Sequence, residues 1–88
     1  MKADQTNDAE ALALGALGWT LSDDARAGRL VALTGLTPAG MRESLEQRDF
    51  LAAVLRFLEA HEPDLVACAG ELGVSPAALV AARDALER

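Results

Sequence analysis

LVACAGELGVSPAALVAARD, residues 65–84, contains the clearest signal of how this chain folds. A stop at Gly73 is followed by Ser75-Pro76, and serine with proline is typical of the cap and the first position of a new helix. Ala69 places a small residue four positions before the turn glycine, where the two helices would touch, and apolar residues flank that glycine on both sides. These spacings predict a helix-turn-helix, in which two helices are joined by a short turn that contains glycine.

The same turn chemistry occurs once earlier, at Gly35-Leu36-Thr37-Pro38. This copy fits a helix-turn-helix less well, because Val31 takes the small-residue position and Thr34 takes an apolar one. Both copies indicate one helix that stops at a left-handed glycine and another that starts with a hydroxyl cap and proline. No segment alternates apolar and polar residues convincingly, so no β-strand is predicted.

Taken along the chain, these signals predict an all-α fold, a compact bundle of five to six short helices whose C-terminal pair is helix-turn-helix-like. Asn7 and Glu10 have the spacing of a capping box that starts the first helix, and Asp49 is expected to cap the fourth. We expect a frayed N-terminus at 1–6 and a single helical domain at 7–88. The predicted helices cover about 7–21, 22–34, 37–45, 49–60, 63–72 and 75–86.

The first helix has no charged residue from Ala11 to Ser22, and its apolar residues fall on all sides. Such a helix is either central in its fold or covered by another chain. Gly15 and Gly18 weaken the helix by about 1 kcal/mol each relative to alanine. We expect both glycines to be tolerated because a neighbouring backbone approaches closely there.

The chain of 88 residues is acidic, with a formal net charge of −6 and a sequence pI near 4.5. Nucleic-acid binding depends on lysine and arginine displacing counterions from phosphates, and no segment clusters these residues. An anionic membrane surface attracts the same residue types. Neither nucleic acid nor a membrane is therefore an expected partner.

The single cysteine, Cys68, permits no internal disulfide, which suits a reducing compartment. The first residues, Met1 to Gln5, do not continue into the apolar run of a secretory leader. No apolar stretch reaches the roughly 20 residues that a membrane span needs. We therefore expect a cytoplasmic protein.

Whether the helix-turn-helix-like segment contacts DNA depends on the face that its second helix presents. Base readout mainly uses Arg, Lys, Asn and Gln, and none of these types is on that face. Three interpretations stay open: a packing motif without a ligand, a degenerate motif that binds protein, and a nucleic-acid-binding regulator. The regulator needs a basic patch assembled from Arg26, Arg29, Arg42 and Arg83. The face itself consists of Ser75, Pro76, Ala77, Val80, Ala81 and Asp84.

The titratable residues predict no catalytic, cofactor-binding or metal site. His61 is the only histidine and has no second ligand at metal spacing. We expect it near the end of the fourth helix, where a cation interacts well with the dipole. Cys68 is expected to be a buried structural thiol. A solvated acidic face is expected around Pro63, formed by Glu59, Glu62 and Asp64.

Trp19 has two open interpretations. It packs in the core against Phe50 and Phe57, or it anchors a partner, since tryptophan is enriched at binding hot spots. An apolar helix face and a core poor in aromatic residues favour self-association or a protein partner. The candidate partner-binding residues are Leu12, Trp19 and Leu21 of the first helix and Val80 and Ala81 of the last.

Five phrases of the sequence carry a family resemblance: EALAL at 10–14, ALGW at 16–19, LTGL at 33–36, FLAAVL at 50–55 and HEPDL at 61–65. They resemble a family of short all-helical alphaproteobacterial proteins, a domain of unknown function, and the resemblance covers about 9–86. It implies a small cytosolic helical protein. It implies no activity, and no functional residue is transferred from it.

The leading hypothesis is a non-enzymatic cytoplasmic module that binds another protein or a second copy of itself as a homodimer. The alternative is a transcription-associated or nucleic-acid-binding regulator that uses residues 65–84. A third hypothesis, a small enzyme, requires a concave pocket with two or more titratable groups. No cofactor, metal, membrane or small-molecule substrate is expected.

Overall fold

The computed structural model describes the backbone from Gln5 to Arg88 and the side chains from Asp8 onward. Six α-helices and no strand occur in this part of the chain, which confirms the predicted all-α bundle. The helices are α1 (Gln5–Leu21), α2 (Asp24–Thr34), α3 (Pro38–Glu43), α4 (Arg48–Glu59), α5 (Glu62–Leu72) and α6 (Pro76–Leu86).

Helices α1, α4 and α6 form the centre of the bundle, and each packs against the other two. Helix α5 packs on all three, whereas α2 packs on α1 and α4. Helix α3 lies at the periphery and is attached through its buried side chain, Met41. The first helix, which has no charged residue from Ala11 to its end, is therefore central in the fold. This is one of the two arrangements predicted for it.

Alanine allows α1 to pack closely in this centre. Its buried face carries Ala9, Ala13 and Ala16, which recur at four and three residues and so lie on one side of the helix. Larger side chains come mainly from the neighbouring helices, and Thr20 of α1 satisfies its buried hydroxyl by donating to the Ala16 carbonyl oxygen at 2.9 Å. The fully buried large side chains are Leu30, Leu51, Leu55, Leu58, Leu79 and Val54.

Both predicted turns have the expected glycine conformation. Gly35 has φ 71° and Gly73 has φ 72°, and these are the positive-φ glycines among the described residues. After each turn a hydroxyl caps the next helix: Thr37 Oγ1 accepts from the Gly40 amide at 3.0 Å, and Ser75 Oγ accepts from the Ala78 amide at 3.1 Å. The repeated phrase is confirmed as turn chemistry.

The two turns differ in how they satisfy the end of the preceding helix. At the second turn the Val74 amide donates to the Ala69 carbonyl oxygen at 3.0 Å, a Schellman motif. At the first turn the Leu36 amide instead donates to the Thr34 hydroxyl at 3.2 Å. Thr34, which departs from the apolar pattern of a helix-turn-helix, therefore supplies a hydrogen bond that the first turn otherwise lacks.

The second turn joins α5 and α6 at 97°. Helix-turn-helix pairs cross at about 90–120° through turns of this length. The C-terminal pair thus has the predicted helix-turn-helix-like geometry.

Two predicted helix caps, Asn7 and Asp49, are wrong. Helix α1 already includes Gln5, so Asn7 lies inside it and is not its cap. Helix α4 starts at Arg48 with Gln47 at the cap position, because the Gln47 amide closes a turn onto the Ser44 carbonyl oxygen at 2.9 Å and the helix follows directly. Asp49 then lies in the first turn, where the dipole also favours an acid. Of the segment 1–6 expected to be frayed, residues 1–4 lie outside the described part, and the rest belongs to α1.

Helix α4 buries a broad apolar side formed by Phe50, Leu51, Val54, Leu55 and Leu58. Phe57 is only half-buried. It lies at the edge that faces α2, where the guanidinium carbon of Arg29 is 5.8 Å from its ring centroid. The buried side is broad because α4 is in contact with α1, α5 and α6 together.

Candidate partner-binding surface

An apolar groove of about 480 Å³ lies between α1, α2 and α3. We call it the α1–α3 groove. Among the described residues that line it, Arg42 alone is charged, and the others are apolar or glycine. The groove is formed by Leu14, Leu17, Gly18 and Leu21 of α1, Ala27 and Val31 of α2, and Pro38, Met41, Arg42 and Leu45 of α3 and the turn after it.

Exposed hydrophobic side chains gather at this groove. Five large ones are exposed among the described residues, and three of them line it: Leu14 and Leu21 at 42% and Val31 at 36%. The other two, Leu33 and Val66, lie outside it. A contiguous exposed apolar patch marks an interaction site more often than scattered apolar residues do.

Helix periodicity explains why α1 contributes to this groove as well as to the core. Leu14, Gly18 and Leu21 recur at four and three residues and share one face. The alanine face of α1 is directed into the bundle on nearly the opposite side. An all-round apolar helix therefore buries one face inside the chain and leaves a second apolar face at the groove.

The two glycines of α1 differ from each other. A Cβ on Gly15 would lie 3.2 Å from a methyl carbon of Leu72, so the close approach there is by a side chain rather than the predicted backbone. A Cβ on Gly18 would meet nothing within 4 Å. The expectation that a neighbouring backbone packs on Gly18 is therefore wrong for contacts within the described chain. Gly18 leaves a notch between Leu14 and Leu21.

The predicted partner-binding residues do not form one surface. Leu21 lies in the α1–α3 groove, but Leu12 and Ala81 line a second groove, of about 330 Å³, between α1 and α6. Val80 is half-buried and packs against the core. The structure therefore separates Leu21 from Leu12 and Ala81, which share the second groove.

Trp19 is half-buried, packs against the core and is covered by Arg26. The guanidinium carbon of Arg26 lies 3.7 Å from the indole centroid, and Arg26 Nη2 donates to the Trp19 carbonyl oxygen at 2.9 Å. Because its ring face is occupied within the chain, the structure favours the core interpretation of Trp19 over the partner anchor.

Most residues of the helix-turn-helix-like face are exposed, as a contact face would require. Ser75, Pro76, Ala77, Ala81 and Asp84 are exposed, and Val80 is half-buried. The nearby Arg83 is held by two acids: its Nε is 2.6 Å from Glu59 Oε2, and its Nη1 is 2.8 Å from Glu87 Oε1. The hydrogen bonds that Arg83 donates to Glu59, and then those to Glu87, raise the pKa of Arg83.

Three of the four arginines that a basic patch would need have partners within the chain. Arg26 covers Trp19, Arg29 Nη2 is 2.9 Å from Asp64 Oδ2, and Arg83 bonds its two glutamates. The fourth, Arg42, is on α3 and lines the α1–α3 groove. These contacts within the chain make Arg26, Arg29 and Arg83 less available for contact with phosphates.

Asp64 connects α2 to the start of α5. Its Oδ2 lies 2.9 Å from both Arg29 Nη2 and His61 Nδ1. Burial alone would raise the pKa of the Asp64 carboxyl, but the hydrogen bonds from His61 and Arg29 outweigh it and hold that pKa below its ordinary value of 3.8. His61 lies directly after the end of the fourth helix, as predicted. It also occupies the N-cap position of α5, where its side chain makes no cap hydrogen bond.

Cys68 is fully buried in the core, as predicted. Burial raises the pKa of its thiol, and the positive charge of Arg26 opposes that effect only in part. A buried protonated thiol is a poor nucleophile and a poor metal ligand. Among the described residues, no group of three or more His, Cys, Asp or Glu has the geometry to hold a metal ion.

The main groove residues that the sequence analysis left out of its candidates are Leu14, Val31 and Arg42. Leu14 had a usable signal, since it shares its helical face with Leu21. Val31 also had a signal, because it is a larger residue at the position where the first turn motif expects a small one. Arg42 carried no such signal, because its place at the groove depends on how α3 is attached.

Among the described residues, no single helix is long and apolar enough to cross a membrane, and α5 and α6 meet such a criterion only when taken together across their 97° bend.

The fold and groove define a small all-helical protein with a helix-turn-helix-like C-terminal pair and an exposed apolar groove. The chain belongs to the family described as Protein of unknown function (DUF3572), which it matches over residues 6–88. The match confirms the predicted domain of unknown function, and the alphaproteobacterial origin stays a prediction. No curated protein and no solved structure matches the chain significantly.

Proposed function

We propose that this protein is a non-enzymatic interaction module that binds an apolar helix of a protein in its α1–α3 groove. The observation that carries this proposal is the clustering of Leu14, Leu21 and Val31, three of the five exposed large hydrophobic residues, around one groove. Helix-in-groove recognition uses apolar anchors at helical spacing in a hydrophobic cleft. A volume of about 480 Å³ accommodates several such anchors.

The chemistry of the groove supports binding more than catalysis. Arg42 alone is charged among the described lining residues, so these residues offer no pair of titratable groups for acid–base work. His61 and Cys68, the residues of greatest catalytic potential, lie outside the groove; His61 is exposed and Cys68 is buried. An unreactive buried thiol also suits the cytoplasmic location that we propose.

The alternative, a nucleic-acid-binding regulator that uses residues 65–84, has less support. Its recognition face lacks the residue types that read bases, and the nearby Arg83 is bonded to Glu59 and Glu87. A protein of net charge −6 would also have to overcome repulsion from phosphates.

A pair of matched valine substitutions tests the proposed function. Val31→Glu places a charge in the groove, whereas Val66→Glu places one at an exposed valine of α5 outside it. We expect tagged wild-type protein and Val66→Glu to capture the same proteins, this chain included, from cells of the source organism, and Val31→Glu to lose them. Equal capture by both variants, with both folded by circular dichroism, would overturn the groove as the binding site.

A further inference from the structure

We propose that the helix bound in the α1–α3 groove is α1 of a second copy of this chain, so that the protein forms a two-fold symmetric dimer. This inference rests on the proposed function, because it names the partner for the same groove. In a two-fold interface each copy supplies the same surface, which must therefore be complementary to itself.

The exposed face of α1 has this self-complementary shape. Leu14 and Leu21 protrude on either side of Gly18, four residues before it and three residues after it. When two such faces cross antiparallel at Gly18, Leu14 of each copy meets Leu21 of the other. The notch at Gly18 allows the two backbones to approach closely there.

No contact within the described part of the chain requires a glycine at position 18. Glycine weakens a helix interior relative to alanine, and a Cβ at this position would meet nothing within 4 Å. The described chain therefore has room for the better helix former. A second α1 that packs on Gly18 would use the space that the missing side chain leaves.

The charges around the groove favour a second copy as the occupant. A net charge of −6 opposes self-association through most of the surface. The helix α1 has no charged residue from Ala11 to its end, so two of these faces meet without repulsion. The groove thus offers a contact that an acidic chain can make with itself.

Two residues of opposite charge border this apolar surface. Asp24 is exposed and lies three and seven residues before Ala27 and Val31, on the face of α2 that lines the groove. Arg42 lines the groove from α3. Among the described residues neither side chain forms an ion pair. A two-fold axis pairs Asp24 of each copy with Arg42 of the other, which gives two equivalent ion pairs.

Sedimentation equilibrium of charge-swapped variants tests this pairing. In a dimer of Asp24→Lys, each lysine meets the other copy's Arg42; in a dimer of Arg42→Glu, each glutamate meets the other copy's Asp24. We expect each variant alone to dissociate at least about tenfold more readily than wild type. An equimolar mixture should recover the wild-type dissociation constant, because the mixed dimer has two opposite-charge pairs. A mixture that associates no better than the separate variants would overturn the proposed pairing.

A second pair of variants tests the packing at the notch. Gly18→Leu fills the notch, and Gly70→Leu adds the same side chain to an exposed position of α5 that also has nothing within 4 Å. We expect Gly18→Leu to remain helical but to be monomeric at concentrations where Gly70→Leu and wild type are dimers. A Gly18→Leu protein that dimerises as wild type does would overturn the inference.

The outcomes separate this inference from the proposed function. A wild-type protein that is monomeric to millimolar concentration overturns the second copy as occupant. If Val31→Glu still loses captured proteins that Val66→Glu retains, the groove remains the binding site for a different partner. If Val31→Glu and Val66→Glu also behave alike, the proposed function fails as well.

Discussion

Arg26 lies over the indole ring of Trp19, with its guanidinium carbon 3.7 Å from the ring centroid and its Nη2 2.9 Å from the Trp19 carbonyl oxygen. The contact joins the end of α1 to the start of α2 across the short turn between them. Asp23 caps α2 in the same turn by accepting from the Arg26 amide at 3.0 Å. Arg26 therefore fixes the angle between the two helices that form most of the groove.

Replacing Arg26 should expose Trp19 and weaken the packing between the end of α1 and the start of α2. We expect Arg26→Ala to lower the free energy of unfolding by about 2 kcal/mol, because it removes a cation–π contact and a charged hydrogen bond. The tryptophan emission should shift to longer wavelength. The control is Arg88→Ala, which removes an exposed ion pair to Asp84 and should change stability by no more than about 0.5 kcal/mol. Unchanged emission in Arg26→Ala would show that Arg26 does not cover the ring.

Two glycines of the helix-turn-helix-like segment should respond to alanine in opposite ways. Gly73 has φ 72°, a conformation that costs about 1–2 kcal/mol for a residue with a Cβ, so Gly73→Ala should destabilise the protein by that amount. Gly70 is inside α5 with open space around it, so Gly70→Ala should stabilise the protein by up to about 1 kcal/mol. Urea unfolding of both variants checks the prediction. Equal effects would mean that the turn at Gly73 does not need a left-handed residue.

The ion pairs of Asp64 should give the protein a specific sensitivity to acid. Because its folded pKa is below the ordinary value of 3.8, the carboxylate stabilises the fold fully above that value and loses its contribution as the pH falls through the lower folded pKa. Asp64→Asn lacks this contribution, so it should be less stable than wild type near neutral pH. The difference should shrink as the pH falls below about 4. Thermal unfolding of both proteins across this range measures it, and a constant difference would contradict the assignment.

Cys68 should serve as a reporter of global unfolding. Because the thiol is fully buried and burial raises its pKa, we expect a thiol reagent to label the native protein only as fast as the chain unfolds. Labelling in denaturant should be rapid. Fast labelling of the native protein would show that the core around Cys68 opens locally.

Local sequence signals predicted most of the fold because the turns are short and chemically specific. The glycine stops at Gly35 and Gly73 and the caps at Thr37 and Ser75 depend only on neighbouring residues, and the structure confirms all four. The start of α4 was misplaced because Asp49 also fits a first-turn position. A side chain that suits two adjacent positions cannot fix a boundary by itself.

The groove could be predicted only in part, because its location depends on contacts between helices. An apolar α1 indicated that one of its faces would meet a partner, but it did not show whether Leu12 or Leu14 would be left uncovered. That choice depends on where α2, α3 and α6 pack. The cover of Trp19 by Arg26 likewise depends on the angle of the turn between α1 and α2. Periodicity contains no information about such angles.

A site-specific photocrosslinker tests the central claim, that the α1–α3 groove binds protein, most directly. The photoreactive residue replaces Val31 in one version of the full chain and Val66 in another, and both are irradiated inside cells of the source organism. We expect a discrete crosslinked product from position 31, with a mass that fits a second copy of the chain, and none from position 66. Crosslinks of equal yield at both positions, or at position 66 alone, would contradict it.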